Sequence, residues 1–259
     1  MRNKGFWFAV FFSFFPYISF MMQMFILSRI PTQRSFDLAG SLATAYGQTW
    51  PAFLIALIAG AGSIAADNRA NALQVYLARP ITKTDYLLGK ILGVFIIVFQ
   101  VVFVPLLLAL FYSAFSMGVA KFLQEHGSLF PKAFLLAAVP ACVHSCVLVG
   151  ISAWCRAPWQ AGTLYAGIWI FTGVFSTMLA DSLSHRLTEQ GATTVRYLYL
   201  DGIISGLGYH LIGSMPRGFS LGVEPFPQWQ VLLVLGIVLC LAGVLLARVR
   251  IRAVEVVQG

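Results

Sequence analysis

The sequence predicts an all-α membrane protein: six transmembrane helices, with a re-entrant or external helical segment between spans five and six. Three observations carry this. The mean hydropathy is +0.83, and 59% of the 259 residues are hydrophobic while only 10% are charged. A soluble domain is about half apolar and about a quarter charged, so this chain has too few charges to cover a globule. Six apolar runs approach the ~20 residues needed to cross ~30 Å of hydrocarbon.

Taken in order, the first run is Phe6–Leu27, preceded by Arg2 and Lys4. It exceeds the ~7–15 residues of a signal-peptide core, and no A-x-A cleavage site follows, so it reads as a retained helix with Trp7 at its inner edge. The second, Trp50–Ala66, is short and is expected to start nearer Tyr46. The others are Ile91–Phe115, Ala133–Ala153, Ala161–Ala180 and Trp229–Ala247. Trp154, Trp159 and Trp229 stand at span ends, as interfacial aromatics do. No internal repeat or linker divides the chain, which reads as one domain over residues 1–259.

Six spans place both termini on one side. That side carries Arg2, Lys4, Arg69, Arg79, Lys83, Lys90, Arg156, Arg248, Arg250 and Arg252, against Asp67, Asp85 and Glu255. The longer loops opposite carry Arg29, Arg34, Lys121, Lys132, Arg186, Arg196 and Arg217, against six acids: Asp37, Glu125, Asp181, Glu189, Asp201 and Glu224. By the positive-inside rule the first side, with both termini, is cytoplasmic. The net charge of +8 reports this topology. The basic residues form no continuous stripe, so nucleic acid is not a partner.

Between spans five and six, residues 181–228 are too long for a turn and too interrupted for a span. Val195–Leu211 is apolar, but Asp201, Gly202, Gly206 and Gly208 break it, and Pro216, Pro225 and Pro227 follow. Irregular backbone at membrane depth is tolerated only under protein cover or beside water. Residues 195–212 are expected to form a re-entrant or half-buried external helix pair; an ordinary external amphipathic helix is the alternative.

The spans hold almost no ionisable groups, and His144 alone lies well inside. Ion-driven carriers need buried Asp, Glu or His along the path, so this sparseness argues against a secondary transporter and a charged channel filter. Cys142, Cys146 and Cys240 lie in apolar runs and Cys155 in a short loop, a distribution unlike a disulfide framework. Cys142 and Cys146 share a helix face from which His144 points away, short of the three or four ligands a metal needs. Ser205-Gly206 with His210 faintly resembles an intramembrane serine protease. However, Ile203 replaces the glycine of Gly-x-Ser, and catalysis by this chain is not expected. The pairs Ala56/Gly60, Gly89/Gly93 and Gly202/Gly206 have the spacing that lets helices approach closely, including across a dimer.

The longest polar-tolerant stretch in the N-terminal half is Asp67–Lys90, DNRANALQVYLARPITKTDYLLGK. Ala70, Leu73 and Leu77 follow the i, i+3, i+7 spacing of a short helix, with Val75 and Tyr76 between them. Pro80 forces Arg79 out of the α region and ends that helix. Thr82 then caps a second helix, with Asp85 three residues on as the capping acid. That helix continues through Gly89-Lys90 into span three, giving a helix, a stiff corner and a span in sequence. On pattern alone an amphipathic interfacial loop fits equally well.

Asp67, then Leu73-x-x-x-Leu77-x-x-Pro80, Thr82-Lys83 and Gly89-Lys90 resemble the signature of ABC-2-type transporter permeases, the membrane subunits of ATP-binding-cassette exporters. The family pattern is an acid, Gly-Thr or Gly-Ala, Leu-x-x-x-Leu-x-x-Pro, Thr/Ser-Arg/Lys, then Gly-Lys. Asn71 departs from it where glycine is frequent. The short N-terminus leaves little room for an amphipathic elbow helix. The resemblance implies that Ala70–Ala78, including Leu73, Tyr76 and Leu77, is a cytoplasmic coupling helix docking on an ATPase. Asp67, Arg69, Arg79, Pro80 and Lys83 would flank the contact.

The chain has no G-x-x-x-x-G-K-[ST], and Gly89-Lys90 lacks the upstream glycine. The implied ATP and magnesium therefore belong to a partner chain, and this chain needs no cofactor of its own. Further implications are two cytoplasmic ATPase subunits, a second copy or a related permease as dimer partner, and residence in a bacterial inner membrane. The cargo would be lipidic or amphiphilic. In the alternative role, mechanotransmission, motion passes to a periplasmic partner without translocation.

Overall fold

The computed structural model describes residues 4–29, 37–70, 82–216 and 225–256, apart from the side chains of 27, 28 and 252–256. Six stretches are long and apolar enough to cross a membrane: Lys4–Ile26, Leu38–Arg69, Lys83–Met117, Leu129–Trp154, Pro158–Leu183 and Trp229–Ile251. No strand occurs among the described residues. The expected all-α, six-span architecture is present.

Span one is two helices, α1 (Lys4–Ser13) and α2 (Phe15–Arg29). Pro16 has no N–H to donate to the preceding turn, so the ladder breaks at Phe14, whose N–H reaches Phe11 O at 3.2 Å. Span two is broken more deeply, into α3 (Leu38–Tyr46), α4 (Trp50–Gly60) and α5 (Ala65–Arg69). It runs back to Leu38, through residues the sequence placed outside. Asp37 caps it, its carboxylate accepting from Gly40 N at 3.0 Å. Leu38, Leu42 and Ala43 are buried.

Span three, α6 (Lys83–Met117), begins at the Thr82 cap, and a short exposed helix α7 (Val119–His126) follows, pinned by buried Phe122 against Phe130. Span four is α8 (Leu129–Trp154) and span five α9 (Pro158–Leu183). Then come α10 (Glu189–Arg196), α11 (Leu200–Ile212) and span six, α12 (Trp229–Val256).

Helix α8 is the hub. It packs along α6 and α12, and it also touches α4, α5, α9 and α11. Small residues make this possible. A Cβ on Gly150 would sit 2.6 Å from Gly243 O, so α8 and α12 cross with their backbones nearly touching. The same approach brings Cys240 to Cys142 and Cys146, with all three sulfurs within 4.8 Å of one another. The third thiol comes from another span, which spacing within α8 could not reveal.

Helix α11 is an uninterrupted helix despite Asp201 and its glycines. It is buried against α3, α8, α9 and α12. The segment is thus a helix pair with one partly exposed member, α10, and one member enclosed by spans. The glycines serve that enclosure: a Cβ on Gly206 would meet Leu232 at 2.5 Å. Gly60 is used likewise, against Leu148 at 2.6 Å, whereas Gly89 and Gly93 face open space.

Gly243→Val should destabilise the purified chain by about 1–3 kcal/mol through overpacking at the α8–α12 crossing. Gly89→Ala should leave it within about 1 kcal/mol of native or raise it. Melting of the two variants in detergent checks the contrast.

Candidate functional site

The corner predicted between spans two and three is framed at both ends. Residues 71–81, with Leu73, Tyr76, Leu77, Arg79 and Pro80, lie outside the described residues. Asp67, Arg69, Ala70 and Lys83 lie within them. On the entry side, α5 is tied to the end of α8. Ser152 Oγ accepts from Ile64 N at 3.1 Å and Ala65 N at 3.0 Å, and it donates to Ala61 O at 2.9 Å. One hydroxyl thus satisfies backbone groups freed where α4 stops and α5 starts. Asn68 Nδ2 donates to Ala153 O at 3.0 Å and Cys155 O at 3.1 Å, closing the carbonyls at the end of α8. Buried Cys155 seats this junction with Ala61, Ala65 and Ala161. That burial pushes its thiol pKa up, away from the reactive thiolate.

On the exit side, Thr82 and Asp85 form the expected capping box. Thr82 Oγ1 accepts from Asp85 N at 3.2 Å, and Thr82 N donates to Asp85 Oδ2 at 3.2 Å. The two sides are then joined through Asp67. Its Oδ2 accepts from Tyr86 OH at 2.7 Å and from Lys90 Nζ at 2.7 Å, and Lys90 lies 5.4 Å from the Tyr86 ring centre. Asp67 and Lys90 were legible as charges of the motif, while Tyr86 as their hydroxyl partner was not. Arg69 and Ala70 are exposed just beyond the clasp. Lys83 lines a groove of about 210 Å³ between the start of α6 and the end of α12, with Leu87, Ile91, Val244 and Arg248.

A second polar cluster sits among the spans, and sequence reading missed it by assigning Asp201 to the outside. Asp201 opens α11 and is 2% exposed. Its Oδ2 accepts from Thr49 Oγ1 at 2.7 Å and from Trp169 Nε1 at 2.6 Å. Its Oδ1 faces His144 Nε2 at 3.6 Å, while His144 Nδ1 meets Tyr165 OH at 2.5 Å. The spans therefore enclose an acid as well as a histidine. The signal in the sequence was an acid inside an apolar 17-residue run, Val195–Leu211.

The sequence model of a family described as "ABC-2 family transporter protein" matches residues 2–249. A search of curated proteins finds no significant match.

Asp67→Ala removes the clasp. Hydrogen bonds to a charged group contribute about 1.5–3 kcal/mol, and solvent screening of this partly exposed pair places the loss at the low end. Cleavage by trypsin after Arg69 and Lys83 should accelerate in the variant. Melting should shift less than in Gly243→Val.

Proposed function

We propose that this chain, which belongs to the ABC-2 family of transporter proteins, is the permease subunit of an exporter driven by a separate ATPase. The observation that carries this reading is the Asp67–Tyr86–Lys90 clasp beside the Thr82 capping box. The described residues on either side of 71–81 are fastened, Asp67 and Asn68 to span three and the end of α8, and Thr82 within the first turn of span three. A force applied there is passed to three spans rather than absorbed by a slack linker. In this reading residues 70–78 dock on the ATPase, with Leu73, Tyr76 and Leu77 as its apolar contacts and Arg69, Arg79 and Lys83 as charge partners. Two such ATPases serve a dimer of this chain, or of this chain with a related permease. Both termini lie in the cytoplasm of a bacterial inner membrane.

The cargo fits an amphiphile or lipid. A groove of about 500 Å³ between α8, α11 and α12 is lined by Leu135, Val139, Leu207, Leu211 and Trp229, with His210 as its polar end. Such a surface accepts an acyl chain with a hydrogen-bonding head. ATP binding would close the ATPases, draw the corners together and move the enclosed α11 against its neighbours. The partly exposed helix α10 favours a second role. It packs on α9, which leaves its outer face for a periplasmic protein that receives the motion without transport.

Leu73→Asp combined with Leu77→Asp should abolish co-purification of the ATPase while membrane insertion persists; retained co-purification overturns the docking assignment. In a cysteine-free background, Gln190→Cys should react with an impermeant maleimide in intact cells. Arg79→Cys should react only after permeabilisation, and the reverse pattern overturns the orientation.

A further inference from the structure

Asp201 and His144 present an unusual balance of charge. Asp201 Oδ1 and His144 Nε2 are both buried, and neither has a hydrogen-bond partner. They face each other at 3.6 Å, with side chains 3% and 0% exposed. Isolated polar atoms of this kind are rare, because an unpaired buried group costs free energy. They are also complementary: a proton on Nε2 points at a carboxylate oxygen.

Both hydrogen bonds to Asp201 come from donors. Its Oδ2 accepts from Thr49 and Trp169, and a carboxylate accepts two such bonds better than a neutral acid does. It lies in the first turn of α11, where the helix dipole stabilises negative charge. A buried carboxylate requires a counter-charge. Among the described residues its recorded ion-pair partner is His144.

The other titratable groups within electrostatic reach are Tyr46 from α3, Tyr165 from α9 and Tyr199 ahead of α11. Helix α4 contributes no ionisable side chain, and α12 contributes only Cys240 over Trp229–Ala247. On α11 itself, Tyr209 packs against Tyr197, and His210 is bonded to Pro227 O. The basic residues of α6, α8 and α12 (Lys83, Lys90, Lys132 and Arg248 onward) stand toward the ends of those helices, away from His144 and Asp201 along the chain.

A route for exchange adjoins the pair. A cavity of about 320 Å³ opens between α9 and α11, lined by Thr49, Trp169, Gly173, Thr177, Tyr199 and Asp201. Asp201 is the acid in its lining.

We propose that His144 and Asp201 form a proton-binding site, in which one exchangeable proton rests on His144 as the counter-charge of Asp201 and is gained and lost through this cavity. The balance is simple: binding converts imidazole and carboxylate, net −1, into imidazolium and carboxylate, net zero. No other reactant is needed. The occupied site ties α8 to α11, and through Thr49 and Trp169 to span two and α9. The empty site buries an uncompensated charge, which is relieved when α11 shifts to admit water at Asp201. Proton occupancy thus governs how firmly the enclosed helix is held. This holds whatever drives the chain.

The test uses the full chain in lipid nanodiscs, labelled with ¹⁵N at its four histidines. The His144 signal is the one lost in His144→Gln. In a titration from about pH 5 to 9 it should show two protonated ring nitrogens at the acid end and one at the alkaline end. In Asp201→Asn the counter-charge is gone, and the same ring should be neutral throughout that range. If that variant does not fold, the native spectrum still decides, because a neutral His144 at every pH overturns the proposal. Gly173→Leu narrows the cavity and should slow proton exchange after a pH jump severalfold. An unchanged rate overturns the cavity as the route.

Discussion

Where a helix breaks inside hydrocarbon, no water is present to bond the freed backbone groups, and another helix must supply the partner. This constraint organises the molecule. Pro140 in α8 cannot donate to Leu136 O, and Tyr46, at the end of α3, donates its hydroxyl to that carbonyl at 2.9 Å. The break after α3 places Thr49 where it reaches Asp201. The break after α4 exposes Ala61 O and the N–H groups of Ile64 and Ala65, and Ser152 meets all three. At the break after α4 a side chain of α8 meets the freed backbone groups, and at the break after α3 the hydroxyls of Tyr46 and Thr49 reach acceptors on α8 and α11. Span two and the hub are therefore held in one register along their length.

The same constraint explains why an acid can lie among the spans. Thr49 and Trp169 are donors brought by the break in span two and by α9, and both point at Asp201. A carboxylate there completes groups that would otherwise be unsatisfied. Its own charge then calls for His144. Fold stability and the proton site are two aspects of one network, since loss of any member leaves a buried partner without its bond.

The sequence carried the parts of this structure that depend on neighbours in the chain. Hydropathy located six spans because length and apolarity are local properties. The start of span three was legible at Thr82 because a capping box is closed within four residues. The break in span two was invisible, because it is stabilised by Leu136 and Asp201, far away in sequence. Asp201 itself was misplaced because hydropathy scores its charge and not its partners. The small-residue spacing of Gly60 and Gly206 was a true signal of close packing, but its partners, Leu148 and Leu232, lie within the same chain.

Helix α4 joins the two polar centres. It is an 11-residue rod, about 16 Å long at 1.5 Å per residue. At one end Ala61 is held by Ser152 and leads to the Asp67 clasp. At the other, Thr49 holds Asp201. An α-helix transmits displacement along its axis with little compression, because its hydrogen bonds run parallel to that axis. A pull on Asp67 crosses the break at residues 61–64, which Ser152 bridges, before α4 carries it to Thr49 and the carboxylate oxygen that Thr49 shares with Trp169. Loosening that bond withdraws a donor from Asp201 and increases its dependence on His144. Conversely, proton loss at His144 weakens the anchor against which α4 is pulled. The corner and the proton site act on a common element, so each biases the other, as linkage requires of two sites that share an equilibrium.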